Sequence, residues 1–467
     1  MTAAGAESPT DQRTPTDGNR LRRLDLRGAT DPTVRAARDA LIRRGALPDP
    51  EVRAAARAIL AEVRAGGDAA VRAVNGRVGG GLADGRLVLE PDELRAARDR
   101  LAGPLRAALE SMIANIRRFA ETQRPASTRI VVARGIEIER RWQPLDRVGA
   151  YVPGGSAAYP SSLVMCAVPA RVAGVGTLVV ASPADRTGVV DPAVLGAAGL
   201  LDVEALVVAG GAQAIGALAY GLPESGLAPV DRIVGPGSAW VAAAKLEVFG
   251  DVSIDLPAGP SEVMVLADVT ADAELVAADL LSQAEHGPDS PAILVTPDPA
   301  FATLVEEALG RQLATATRRS ILEASLAAGG LVVLAPDRNA AIEFVNEYAP
   351  EHLSVVVDDP EEAVARIRNA GSVFVGPDAP ESAGDYASGA NHVLPTGGLA
   401  RSCGALSVEA FGKFVQVQRI DREGLAAIRT SVGTIAAAEG LTAHREAVEV
   451  RFRATDAVGP PAMNRVQ

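Results

Sequence analysis

The stretch ALVVAGGAQAIGALAY, residues 205–220, decides the fold. Ala205–Ala209 is a short apolar run with two β-branched valines, the extended type of segment. It runs into Gly210-Gly211, and Ala212–Tyr220 continues as a helix. A strand, a glycine turn and a helix start form a candidate phosphate cradle, because the helix N-terminus presents free N–H groups. The other reading of the same residues is close helix–strand packing. The spaced G-x-G-x-x-G pattern is absent, and no acidic ribose anchor follows.

Outward from this stretch the pattern repeats. Gly149–Val152, Thr177–Ala181, Arg232–Val234 and Val252–Leu256 are further short apolar runs ending in Gly or Pro, most of them one helix length apart. A second series follows at Glu262–Ala267, Ala292–Thr296, Leu331–Ala335, Ser354–Val357 and Ser372–Val375. Alternating strands and helices predict parallel sheets, and two such series predict two doubly wound α/β domains facing each other across a cleft. Gly154-Gly155 and Gly235-Pro236-Gly237 occupy strand ends equivalent to Gly210-Gly211. Upstream, Val52, Ile59, Leu60 and Val63, then Leu94, Leu101, Leu105, Leu109, Ile113, Ile116 and Phe119, recur at helical spacing. After about Leu406 no further strand is expected, and residues 422–447 read as helices broken at Gly440.

Composition narrows the function. The 467 residues carry 46 basic and 58 acidic side chains, a formal charge of −12. No basic stripe relieves it, so neither nucleic acid nor an anionic membrane is the expected partner. Lysine occurs only at 245 and 413, which leaves few candidates for a Schiff base. Cys166 and Cys403 have no Cys-x-x-Cys spacing, which excludes a thiolate-rich zinc site and a disulfide framework and fits a cytoplasmic location. No apolar run is long enough to span a bilayer.

Histidine occurs four times, each at an element end or in a polar loop. In Ser282-Gln283-Ala284-Glu285-His286-Gly287-Pro288 a helix is expected to stop at Gly287-Pro288, with Gln283 and His286 on one face of its last turn. An amide oxygen and an imidazole so placed can grip one metal ion; a dipole-stabilised C-terminal histidine is the alternative. Glu351-His352 sits at a strand mouth, suited to acid–base work or to a surface pair. The loop from Ser382 to His392 is rich in small residues and carries Asp385 and His392, two further metal-ligand types or parts of an ordinary loop. Thr442 is the expected N-cap of a closing helix whose first turn holds His444, a site residue or a solvated one.

Taken together, Val148–Ser156, Gly210–Ala217, Pro257–Glu262, Ser282–Ser290, Pro350–Leu353, Ser382–Pro395 and Leu441–His444 resemble the histidinol dehydrogenase family in order and spacing, over about residues 24–450. The resemblance implies a four-electron oxidation of L-histidinol to L-histidine via histidinal with two NAD, the last step of histidine biosynthesis. It implies one zinc ion per subunit on Gln283, His286, Asp385 and His444. Glu351 and His352 would be the acid–base pair. Ser261, His352, Glu439 and the metal ligands would contact substrate, and Tyr151 and Gln213 would contact NAD. The family's third NAD contact is an Asn where this chain has Ser238. His392 matches the motif and would support the Asp385 loop. An intertwined homodimer is also implied, with N- and C-terminal segments exchanged and Glu439 and His444 supplied in trans.

The expected organisation is therefore a disordered tail (1–23), an N-terminal arm (24–45), a discontinuous first α/β domain (46–147 and 262–406), a second Rossmann-like α/β domain (148–261), a helical dimerisation segment (407–450) and a flexible tail (451–467). Both α/β domains would be incomplete Rossmann-like folds. Rival readings are a related dehydrogenase for another alcohol, such as a sulfonated diol, a zinc hydrolase, and a non-catalytic zinc-binding regulator. Glu439 and His444, suited to an imidazole-bearing amino alcohol, count against the first. The paired βα series count against the second, and the motifs, intact except at Ser238, against the third.

Overall fold

The computed structural model describes residues 21–28, 30–154, 158–257 and 259–453. The expected tail over 1–20, Gly155 and Ser156 of the first glycine turn, Ala258 of the Pro257–Glu262 motif, and residues 454–467 of the expected C-terminal tail lie outside the described residues. The chain divides into two compact units. The first is the chain up to Arg124 together with Leu145–Phe411; the second is Pro125–Pro144 with the chain from Gly412 onward.

In chain order the strands are β1 (Arg22–Asp25), β2 (Val88–Leu89), β3 (Thr128–Ala133), β4 (Ile136–Pro144), β5 (Arg147–Tyr151), β6 (Thr177–Ser182), β7 (Ala205–Val208), β8 (Arg232–Val234), β9 (Ser253–Ile254), β10 (Val263–Ala267), β11 (Ala292–Thr296), β12 (Gly330–Leu334), β13 (His352–Val356), β14 (Ser372–Val375) and β15 (Gly412–Ile420). The α-helices are α1 (Pro32–Ile42), α2 (Pro50–Val78), α3 (Pro91–Asp99), α4 (Gly103–Thr122), α5 (Pro160–Ala173), α6 (Pro192–Leu200), α7 (Gly211–Tyr220), α8 (Ala239–Val248), α9 (Ala273–Ala284), α10 (Pro299–Leu313), α11 (Arg319–Gly329), α12 (Arg338–Tyr348), α13 (Pro360–Arg366), α14 (Glu381–Tyr386), α15 (Arg422–Ala438) and α16 (Thr442–Arg453). Many helix starts share one local device. At Asp31-Pro32, Asp49-Pro50, Asp191-Pro192, Asp298-Pro299 and Asp359-Pro360 the carboxylate accepts a first-turn N–H while proline occupies a position that needs no N–H partner.

The first unit holds two doubly wound sheets, as the βα alternation predicts. One has the order β2-β7-β6-β5-β8-β9, parallel except for β2 at its edge. The chain enters at β5, winds out to β7 and returns to β8, so the winding reverses between β5 and β8. The other has the order β1-β12-β11-β10-β13-β14 and is parallel throughout. Its reversal falls between β10 and β13, with Val263 opposite His352. Ligands gather at the carboxyl ends of strands at such reversals, because the flanking loops splay apart there. Strands covered on both faces read as unbroken apolar runs, and Val263–Ala267 is buried from end to end.

The packing departs from the expected organisation in three places. Residues 46–147, expected to join 262–406, lie on the other sheet: α2 packs on α7 and α8, α3 on α6, α4 on α5, and β2 pairs with β7. The reason is the apolar stripe Ala56, Leu60, Val63 and Val71 of α2, buried in one core with Ala214, Ile215 and Val207. Residues 22–25, expected as the end of a tail and the start of an arm, form the strand β1, which pairs with β12, and Leu21, Leu24 and Leu26 are buried. Finally, strands do not stop at Leu406. In the second unit β15 pairs antiparallel with β4, and β4 with β3. Phe414 packs edge-on against Trp142 at 5.2 Å.

In that unit α15 and α16 form a hairpin at Gly440, whose φ of +73° lies in the left-handed region. Thr442 is the first residue of α16, not its N-cap. The difference is one residue, since the capping backbone belongs to Leu441, whose carbonyl accepts from His444.

Candidate active site

A group of ionisable side chains lies at the amino-terminal edge of the β10–β13 sheet. Glu262 immediately precedes β10, His352 opens β13 with Glu351 before it, and His286 follows the end of α9. The sequence reading put His286 inside the last helical turn. In the structure α9 ends at Ala284, and His286 lies in the turn just beyond, its amide bonded to the Gln283 carbonyl at 3.1 Å. Asp385 comes from α14, where Glu381 is its i−4 neighbour on the same face. Gly384 permits this placement, since a Cβ there would lie 2.5 Å from the ring of Phe374 on β14. That ring in turn lies 6.1 Å from the His352 imidazole.

Asp385 stands among three imidazoles. Its carboxylate lies 4.0 Å from His286 Nε2, 3.9 Å from His352 Nε2 and 3.7 Å from His392 Nδ1. Ligand atoms of His286, Glu381 and Asp385 all fall within 4.8 Å of one another. Gln283 is fully buried, and both atoms of its amide group lack a hydrogen-bond partner, as do both oxygens of Glu381 and Nε2 of His352. Burial without partners is costly for such groups. A cation is the group that would engage an amide oxygen, carboxylates and imidazoles together, so the donor set fits a metal ion. Burial pushes the Asp385 carboxyl up to about 6, a cost that a cation would offset.

The acid–base candidates are held by the backbone of Glu262. Its N–H donates to Glu351 Oε2 at 2.8 Å, and its carbonyl lies 3.3 Å from His352 Nδ1. A carbonyl can only accept, so the ring proton sits on Nδ1 and the lone pair on Nε2. Glu381 Oε1 at 3.4 Å and Glu351 Oε2 at 3.6 Å also face Nδ1. Burial keeps the ring neutral by driving its pKa down to about 3, and raises Glu351 well above the usual carboxylate range. Ser261, the residue before Glu262, is partly exposed beside this group.

His392 Nδ1 lies 3.1 Å from the Asp385 carbonyl and its Nε2 lies 3.5 Å from Ser162 Oγ on α5. Asn391 donates to the Met165 carbonyl at 2.8 Å. These contacts dock the small-residue loop onto the helix that follows the first glycine turn.

A second group occupies the carboxyl edge of the β5–β8 sheet. Tyr151, at the end of β5, is buried, and its hydroxyl accepts from Gly211 N–H at 3.3 Å. The α7 N-terminus has no side-chain cap, which leaves backbone donors for an anion. Gln213 is buried, with its amide donating to Asn75 Oδ1 at 3.1 Å. Gly235 has φ +109°, and a Cβ there would stand 2.2 Å from the Tyr151 carbonyl. A buried Lys245–Asp255 ion pair pins this turn, with Lys245 bonded to the Gly235 carbonyl and Asp255 to its N–H. Ser238 is exposed at the N-cap of α8 and makes no capping bond. These turns suit a phosphate-bearing cofactor. Glu439 and His444 belong to the second unit, at the end of α15 and in the first turn of α16, and both are exposed.

Comparison with known proteins accounts for this combination. The family model described as histidinol dehydrogenase matches residues 42–452. The chain belongs to the histidinol dehydrogenase family. It is 47% identical over 437 residues to the histidinol dehydrogenase of Leifsonia xyli subsp. xyli, covering 92% of this chain and 99% of that one. It is 48% identical over 363 residues to that of Halobacterium salinarum, covering 77% and 84%. The crystal structure of histidinol dehydrogenase from Elizabethkingia anophelis superposes with a TM-score of 0.83 at 35% identity, over 90% of this chain and 97% of that one.

Within this histidinol dehydrogenase fold, four contributors escaped the sequence reading. Glu381 carries a signal, since it precedes the Ser382–His392 loop and stands one helical turn before Asp385. Glu262 also carries one, as the residue after Ser261 at a strand mouth. Asn75 and Arg44 carry none, because each acts on residues more than a hundred positions away.

Ser238 yields a prediction. Asn and Ser are equally good N-caps, so Ser238→Asn should fold as the parent does. If the chain takes NAD and Asn adds one hydrogen bond of about 1 kcal/mol to it, the KM for NAD should fall by about fivefold in steady-state kinetics. An unchanged or higher value would mean that the turn is built around serine.

Proposed function

We propose that this chain oxidises L-histidinol to L-histidine through histidinal, using NAD, as the last step of histidine biosynthesis. The observation that carries this reading is the buried His352, whose unpartnered Nε2 faces Asp385 among unpartnered metal-ligand groups, in a chain of this family. Gln283, His286 and Asp385 would hold zinc, with the His444 of a neighbouring subunit as the fourth ligand. When bound, zinc would orient the substrate as a Lewis acid, and NAD would supply the hydride acceptor. His352 Nε2 takes the proton of the substrate hydroxyl as the carbinol carbon is oxidised. Glu351 takes a proton from the water that hydrates the aldehyde, and the hydrate is what the second oxidation consumes. Ser261 and Glu439 contact the substrate, and Tyr151, Gln213 and Ser238 contact NAD.

A homodimer belongs to this reading. On the second unit Ile130, Val131 and Val132 of the edge strand β3 are exposed, as are Ile435, Leu441 and Val450 of the helical hairpin. An unpaired apolar strand edge and exposed helix faces are surfaces that oligomers cover. Glu439 and His444 would then complete the neighbouring subunit's site. A cytoplasmic location is also proposed; among the described residues no helix is long and apolar enough to cross a membrane, and both cysteines are free thiols.

The direct test is absorbance of NADH with histidinol and NAD. Two NADH per histidinol are expected from the zinc-loaded protein. Chelation should abolish turnover and added zinc should restore it. A zinc-loaded, folded protein that makes no NADH from histidinol would overturn the proposal.

A further inference from the structure

We infer that Arg44 is the positioning residue of the acid–base pair, an inference that rests on the roles just given to Glu351 and His352. Arg44 stands two residues beyond α1, in a segment that no motif marks. Its guanidinium makes a two-pronged bond to the buried Glu262 carboxylate, Nε to Oε2 at 2.9 Å and Nη2 to Oε1 at 2.5 Å. It also donates from Nη1 to the Tyr348 carbonyl at 2.6 Å and from Nη2 to the Ala349 carbonyl at 3.4 Å. The guanidinium plane covers the Tyr348 ring at 3.2 Å, and the Tyr348 hydroxyl donates to Glu262 Oε2 at 3.0 Å.

The two peptide segments that Arg44 grips are those that carry the chemistry. Glu262 holds Glu351 through its N–H and His352 through its carbonyl. Tyr348 and Ala349 lead directly into Pro350-Glu351-His352. Ala349 has φ +54°, a strained left-handed conformation for a residue with a Cβ. It closes α12, its N–H bonded to the Val345 carbonyl at 2.8 Å, while its own carbonyl and that of Tyr348 accept from Arg44. One side chain thus sets where the Glu351 carboxyl and the His352 ring stand, without touching either. Lysine would keep the charge opposite Glu262 but lacks the planar fork that serves a carboxylate and two carbonyls at once.

The test uses the full-length, zinc-loaded protein, with Arg44→Lys as the variant that keeps Glu262 paired and Arg44→Ala as the deletion. Parent turnover of histidinol is measured first, because its absence would refute the proposed function and not the role of Arg44. Given an active parent, kcat should fall roughly tenfold in Arg44→Lys and about a hundredfold in Arg44→Ala, the loss expected of an ångström-scale misplacement. The KM for NAD and the zinc content should stay at parent values. Millimolar guanidinium should restore kcat in Arg44→Ala and leave His352→Ala unchanged. Parent-like kcat in folded Arg44→Lys would overturn the inference. So would a loss in Arg44→Ala that guanidinium does not repair, or one accompanied by zinc loss, since either means that Arg44 serves only folding.

Discussion

His352→Ala and Glu351→Gln are each expected to reduce turnover by roughly two to four orders of magnitude, or about 3–5 kcal/mol of transition-state stabilisation. The first variant removes the unpartnered Nε2 that would accept the hydroxyl proton. The second keeps an oxygen for the Glu262 N–H but can no longer take a proton from water. Zinc content should remain near that of the parent in both, because neither residue is a proposed ligand. The two should differ in which half-reaction fails. Supplied with histidinal, Glu351→Gln should be more impaired than it is with histidinol, because only aldehyde oxidation needs the activated water. Single-turnover NADH formation from each substrate separates the steps. If alcohol oxidation alone suffers in Glu351→Gln, the assignment of water activation to Glu351 is wrong.

A mixture of two dead variants should come back to life. His286→Ala removes a proposed ligand on the first unit and His444→Ala a proposed ligand on the second, so each variant alone should be inactive. After unfolding and refolding of an equal mixture with zinc, about half of the dimers should be mixed if pairing is random. If His444 serves the neighbour's site, each mixed dimer has one site with both ligands and one with neither. Recovered activity should then approach about a quarter of the parent's. If His444 serves its own chain, every site lacks one ligand and the mixture stays inactive. The physical motive is the second unit itself. Among its described residues α16 has no buried side chain, and Leu441 and Val450 are exposed, apolar surface that a neighbouring subunit would cover. An inactive mixture that mass measurement shows to contain heterodimers would sink the shared site.

Much of the architecture is local information and could be read from residues in order. Asp-Pro pairs start helices, apolar β-branched runs end at Gly or Pro, and their alternation requires parallel doubly wound sheets. The placement of Glu351-His352 at a strand mouth and of Gln283 and His286 at a helix end follows from the same periodicities. β15 escaped because Val415-Gln416-Val417-Gln418 alternates with the weak period of a half-exposed antiparallel strand, unlike the apolar runs of the parallel sheets. The allocation of α2 escaped because an amphipathic stripe specifies that a face is buried and not against which sheet.

What only the tertiary structure decided is which distant groups meet. His286, Glu381 and Asp385 converge because α9 ends, and α14 lies, at the amino edge of the sheet that β13 enters. Arg44 reaches Glu262 across 218 positions, and Asn75 reaches Gln213 across 138. No periodicity encodes such pairs. They exist because packing desolvates a carboxylate or an amide and leaves it few partners within reach. The sequence therefore determined the kind of chemistry available to this protein, and the fold decided which atoms perform it.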